Sequence, residues 1–337
     1  MRTSRLILVC VCALVLAPGG AGAAATFASP REALKQGLGA YQGGYFDQAI
    51  PALESAAEDG EFMALYYLAR IYSDNSGAHT AHAKAYQLFK RIVDEYADLD
   101  PDEDERAPLV GRSLTALANY TRRGLPEIGL AANLERAIEY LHNASVIFND
   151  EDAQFELAKL QLTGEGVAED VPKAKHWLSV LTQRGHAGAQ AFLADLLWRG
   201  KYMAPDQPRA LALISIAVEN APSNERLWIE DIYQNIFCGA GDGIRRQASG
   251  IVAGWGNRYG RKPDERDRSD LDQLNAAPLR TCQNGETVGP IKGEFAPGED
   301  GGAIAETPQR QPRGFLQGSS GAGLRDVAAP DQPRGDR

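Results

Sequence analysis

The sequence predicts an all-α solenoid of antiparallel helix pairs. Three observations carry that expectation. An alanine, a glycine, an Ala-rich stretch and a second glycine recur at an interval near 36 residues. Apolar residues between them return at three- and four-residue steps, as Leu65, Leu68, Ala69 and Tyr72 do. Glycine stands where each helix should stop, since a left-handed backbone there costs other residues energy. Units of this length bury the apolar stripe that a lone helix pair leaves bare.

The first helix of each unit is marked by Ala49, Ala85, Ala137, Ala174 and Ala210, which stand 36, 52, 37 and 36 residues apart. Ala69, Ala118, Ala158 and Ala194 mark the second helices. Small side chains let two helices approach closely, and bulky neighbours such as Trp177, Leu178, Leu181, Phe192 and Leu196 fill the ridges between units. Gly60 and Gly185 suit the turn inside a pair. Gly77, Gly124, Gly164 and Gly200 are expected to close second helices.

The long step from Ala85 to Ala137 holds two inserts, Asp94 to Pro108 and Gly124 to Ala137. Pro101 and Pro108 mark the first as a loop or broken helix. The last unit, Ala210 to Phe237, replaces the turn glycine with Asn220-Ala221-Pro222, as an end unit can. Arg246 to Gly260 reads as a weak final helix, because Gly250, Gly254 and Gly256 lower its propensity.

The chain's 337 residues are 44% hydrophobic, with a net charge of −10. That acidity argues against nucleic acid, which needs a basic face. Residues 1–23 read as a cleaved secretory signal: Arg2 and Arg5 precede the apolar run Leu6–Ala17, and small residues follow at Ala21 and Ala23. The run has 12 residues, fewer than the roughly 20 a membrane span needs. Cys10 and Cys12 lie inside the signal. Cys238 and Cys282 stay with the mature chain, where an oxidising compartment permits a disulfide. Such a bridge would close a loop of about 45 residues and contribute on the order of 4 kcal/mol; two unpaired thiols are the alternative. Residues 30–257 read as the helical repeat domain, and 258–337 as a mostly disordered tail.

Gly164 to Val167, then Ala174, Trp177 and Leu178, then Arg184 to Gln190, resemble a Sel1-like repeat, a relative of the tetratricopeptide repeat. A wider likeness, over residues 33–238, is to the ExoR family. It rests on ALKQGLGAYQGGYFDQAIPALESAAEDG, ALANYTRRGLP, DAQFELAKLQLTGEGV, GHAGAQAFLADLLWRG and ALALISIAVENAPSNERLWIEDIYQ. The resemblance implies a periplasmic negative regulator of exopolysaccharide production. It further implies a partner, the periplasmic sensor domain of a histidine kinase, which the protein holds in check. The long tail and both mature cysteines fall outside the family motifs.

The residues point to no catalytic, metal or cofactor site. His79 and His82 could share a helix face, but a zinc site needs more ligands, and Asp74 is the single local candidate. Asp98, Asp100, Asp102 and Asp104 fail as a calcium loop, because Glu105 and Gly111 occupy the positions that require glycine and glutamate. The run reads as a solvated loop, a loose divalent site or a contact for a basic surface. Trp177, Trp198 and Trp228 read as core more than as partner anchors. A protein-binding regulator is thus expected. A scaffold for envelope or polysaccharide-export assembly, and a Sel1-like hydrolase of the beta-lactamase type, are the alternatives.

Overall fold

The computed structural model describes residues 27–75, 77–222, 225–259 and 280–291. The expected signal at 1–23 and most of the tail lie outside them. The helices are α1 Pro30–Gln42, α2 Phe46–Glu58, α3 Phe62–Ser73, α4 His82–Tyr96, α5 Ala107–Arg123, α6 Leu134–Val146, α7 Glu151–Thr163, α8 Val171–Arg184, α9 Ala187–Arg199, α10 Gln207–Asn220, α11 Arg226–Gly239 and α12 Asp242–Tyr259. A short 3₁₀ turn, Pro126–Ile128, precedes α6. Extended pairing among the described residues is limited to two isolated bridges, Leu125–Leu130 and Thr281–Thr287. None of the described helices is long and apolar enough to cross a membrane.

From α1 to α11 each helix packs on its neighbours in sequence, and α12 returns to pack on α10. The more extensive contacts join α1 to α2, α3 to α4, α5 to α6, α7 to α8, and α9 to α10. The sequence-based unit, Ala174 to Gly200, is therefore one helix out of phase. Helices buried on two sides give the same periodicity in either phase, so periodicity alone could not fix the pairing.

The alanines define the contact line. Ala49, Ala85, Ala137, Ala174 and Ala210 are all fully buried, as are Ala69, Ala158 and Ala194. A backbone bond repeats with them. The N–H of Ala81 donates to Tyr72 O (2.9 Å), Asn133 to Thr121 (2.8 Å), Asp170 to Gln161 (2.9 Å) and Asp206 to Leu197 (3.1 Å). Each donor lies four residues before the alanine of the even helix, and each acceptor three after that of the odd helix. The insert before α6 leaves this bond intact, because the 3₁₀ turn and the Leu125–Leu130 bridge take up its extra length. Asn133, Asp170 and Asp206 also cap α6, α8 and α10, accepting from the N–H three residues on. Each such cap is worth about 1 kcal/mol.

Gly124, Gly164, Gly185 and Gly200 occupy helix C-caps with φ of 76, 71, 88 and 66°. Gly77 does not share this role. Helix α3 stops earlier, at Ser73, with Asp74 extended behind it. The apolar interior runs as three adjoining clusters: the first centred on Leu53, Leu65, Phe89 and Leu117, the second on Leu162, Leu178 and Leu181, the third on Leu211, Ile214 and Ile229.

The C-terminal end departs from the tail expectation. Residues 280–291 form an ordered clasp. Cys282 bonds to Cys238, with Cα atoms 5.5 Å apart and a sequence separation of 44. Val288 and Ile291 pack on the third cluster. Tyr233 donates its hydroxyl to Gly289 O. Arg245 pairs with Glu286, and Arg280 reaches Asp231 and Glu230. Composition gave no sign of this, because the clasp is held by single long-range contacts and not by a periodic apolar face.

Candidate protein-binding surface

Helices α3, α5 and α7 bring charge together on one surface. Asp152 at the start of α7 feels both Arg112 of α5 and Arg70 of α3. One turn further on, Arg122 of α5 meets Glu156 of α7 at 3.3 Å, and Lys159 binds the same carboxylate. The Lys159 ammonium also lies 4.6 Å from the Phe155 ring centre. At the α1–α3 end the surface becomes aromatic. The Tyr41 and Tyr67 ring centres are 4.6 Å apart, and the Arg70 guanidinium lies beside the Tyr41 and Tyr66 hydroxyls. Burial pushes the Tyr41 hydroxyl pKa up.

His186 stands at the centre of the charged part. Its Nδ1 accepts from Ala189 N–H at 3.1 Å, capping α9, and its Nε2 donates to Asp152 at 3.0 Å. The Asp152 bond sets the tautomer. The hydrogen bond from His186 holds the Asp152 carboxyl below its ordinary range. Burial works against a charged His186, but Asp152 outweighs it and the pKa stands above its usual value. A protonated Nδ1 cannot accept from Ala189, so the full charge and the cap exclude each other. Burial pushes the nearby Glu225 carboxyl up, and Asp152 adds to that.

One repeat earlier, Asp150 is the counterpart of His186. It caps α7 through Ala153 N–H at 2.9 Å and accepts the Thr115 hydroxyl at 2.7 Å. Burial dominates its environment and raises its pKa. Pro108, Arg112, Phe148 and Asp150, with Asp152 and His186, line a cavity of about 310 Å³ between α5, α7 and α9. No serine, threonine or cysteine is among its lining residues. A second cavity of about 460 Å³ lies beside the disulfide, which ties up both of its cysteines.

The histidines considered for zinc part company. His79 pairs with Asp47 at 3.2 Å, and His82 Nδ1 lies 2.9 Å from the Tyr120 hydroxyl. The loop carrying Asp98, Asp100 and Asp102 is exposed, while Asp104 pairs with Arg106. Trp177, Trp198 and Trp228 are half-buried against the apolar clusters. Sequence reasoning missed Gln154 and Gln190. Both are buried, and each sends its side-chain N–H to a carbonyl of the preceding helix, Ser145 or Thr182. Their spacing of 36 residues is the signal that could have found them.

The fold and its repeated contacts define a Sel1-repeat protein. The Sel1 repeat family matches residues 112–145, 151–186 and 187–221, with units in the phase that the helix contacts show. Two relatives share 219 residues with the chain. One is the "Exopolysaccharide production negative regulator" of Rhizobium meliloti (strain 1021), 29% identical over 65% of this chain and 79% of the relative. The other, of the same name, is from Rhizobium leguminosarum bv. viciae, 28% identical over the same shares. A protective antigen of uropathogenic Escherichia coli with an SLR fold superposes with a TM-score of 0.50 at 19% identity. The match covers 75% of this chain and half of that structure, and it bears on the fold alone. The chain carries Sel1 repeats and is similar over 219 residues to two exopolysaccharide production negative regulators.

Proposed function

We propose that the protein is a periplasmic negative regulator of exopolysaccharide production. In this reading it binds the periplasmic sensor domain of a histidine kinase. Binding favours the kinase's inactive state by population shift, and loss of the protein frees the pathway. One observation carries the reading: two relatives named for that role match the chain across 219 residues. The charged and tyrosine-rich surface over α3, α5 and α7 supports a protein partner. Residues 1–23 would direct export and be removed, 30–257 would form the binding domain with the 280–291 clasp on its end, and the rest of 258–337 would follow as a tail. The disulfide fits an oxidising compartment.

To shift a kinase from mostly active to mostly inactive, the protein must bind the inactive state about 10⁴-fold more tightly. The test is calorimetric titration of the mature protein with the sensor domain of the host's cognate kinase. Saturable binding at one-to-one stoichiometry is expected. Absence of binding, with both proteins folded, would sink the kinase mechanism.

A further inference from the structure

The repeats can be compared corner by corner where an even helix gives way to the next odd one. From Ala49 to Glu61, and from Ala174 to His186, the chain takes twelve residues. From Ala137 to Asp150 it takes thirteen. The α6–α7 corner therefore holds one residue more than the α2–α3 and α8–α9 corners. The backbone confirms the count: Glu61 N–H reaches back five residues to Ala56 O, His186 five to Leu181 O, and Asp150 six to Ala144 O.

The added residue is Phe148. It is buried against Gly111, where a Cβ would come within 2.8 Å of the Phe148 Cβ. Glycine at 111 is what lets the ring's backbone settle there. Asn149 then takes φ 51°, the place held by Gly60 at 85° and Gly185 at 88°. Asp150 closes the corner as cap and as acceptor of Thr115. The corner is thus braced from below.

On that base stand Val146 and Ile147, 68% and 47% exposed. The matching residues at the sibling corners are Glu58 and Asp59, and Gln183 and Arg184. Two aliphatic side chains face solvent where the repeat otherwise places polar ones. The cavity lined by Phe148, Asp150 and Asp152 opens beside them. Pro108, on the same cavity, follows directly on the exposed loop of Asp98, Asp100, Asp102, Glu103 and Glu105. The single base of that loop, Arg106, is already paired with Asp104. The loop leading to that cavity therefore carries more acid than base, while Asp152 inside the cavity is paired with His186.

We propose that the α6–α7 corner docks a basic segment of a protein partner. Val146 and Ile147 receive an apolar side chain, and the 98–105 loop receives lysine or arginine. Apolar contacts at the centre hold such a complex, and the surrounding charge speeds encounter. A second copy of this chain is a poor occupant, since a symmetric contact would set acidic loop against acidic loop. The identity of the partner as the kinase sensor domain rests on the functional reading above.

The test measures affinity of the mature chain for that sensor domain, with melting curves to show that each variant folds. Val146→Ser with Ile147→Ser should weaken binding at least tenfold. Asp100→Lys with Asp102→Lys should slow association several-fold and flatten its salt dependence. Leu227→Ser, which alters an equally exposed apolar residue elsewhere (70%), should change affinity less than twofold. Wild-type affinity in the Val146/Ile147 variant overturns the docking site and leaves the kinase reading standing. If the wild-type chain does not bind the sensor domain, the kinase reading falls, and Ile147→p-benzoylphenylalanine in the living host decides the site. Adducts mapped to a basic, apolar-containing peptide of another protein support it. Adducts with a second copy of this chain, or no adduct, overturn it.

Discussion

The middle of the solenoid and its C-terminal end solve the same problem by different means. From α7 to α10 the landmarks return on schedule: a buried alanine in every helix, an aspartate cap on α7, α8 and α10, a glycine stop after α7, α8 and α9, and a loop-closing backbone bond. Stability there is spread over many equivalent contacts. At the end, α11 and α12 have no following repeat to cover them. A disulfide, ion pairs and two apolar side chains from residues 280–291 take the place of one. A repeat array needs its last apolar face covered, and here a short clasp does it.

That contrast can be broken at several points. The largest effect is expected from Cys282→Ser. Losing a bridge across 44 residues should cost about 4 kcal/mol. Hydrogen exchange should rise in α11 and α12 while α3 to α8 keep their protection. Uniform loss along the chain would show that the end is not a separate device. Next, Leu178→Ala removes a fully buried side chain from the middle cluster and should cost about 3 kcal/mol in urea unfolding. Unlike stability at the clasp, this loss should be the same with and without reductant.

Smaller changes sharpen the comparison. Asp170→Ala removes the cap of α8 and should cost about 1 kcal/mol, with exchange rising at the first turn of that helix. Gly185→Ala forces φ 88° on a side-chain-bearing residue and should cost about 1–2 kcal/mol. Asn149→Gly, at the corresponding place in the preceding repeat, should cost less than that. The smallest effect belongs to the exposed Lys90–Asp94 pair: Lys90→Ala should change stability by no more than about 0.5 kcal/mol. A larger loss would mean that surface pairs contribute to the array.

Much of the repeat was legible because certain positions admit few residue types. A helix contact line accepts alanine, and a left-handed C-cap accepts glycine, so Ala174 and Gly200 announce themselves. The pairing phase was not legible, since both flanks of each inner helix are buried. Of the clasp only the Cys238–Cys282 pair was legible, because Tyr233 and Arg245 find partners far away in sequence that no local pattern marks. Exposure of Val146 and Ile147 was hidden for another reason. Aliphatic residues in a helical pattern read as core, and the solvent-facing register of these two shows only when corners are aligned.

The account stands or falls most directly on exopolysaccharide output in the native host. Deleting the gene should raise secreted polysaccharide, and restoring the full chain should return it to the starting level. Unchanged polysaccharide in the deletion strain would contradict the assignment of this solenoid as a negative regulator.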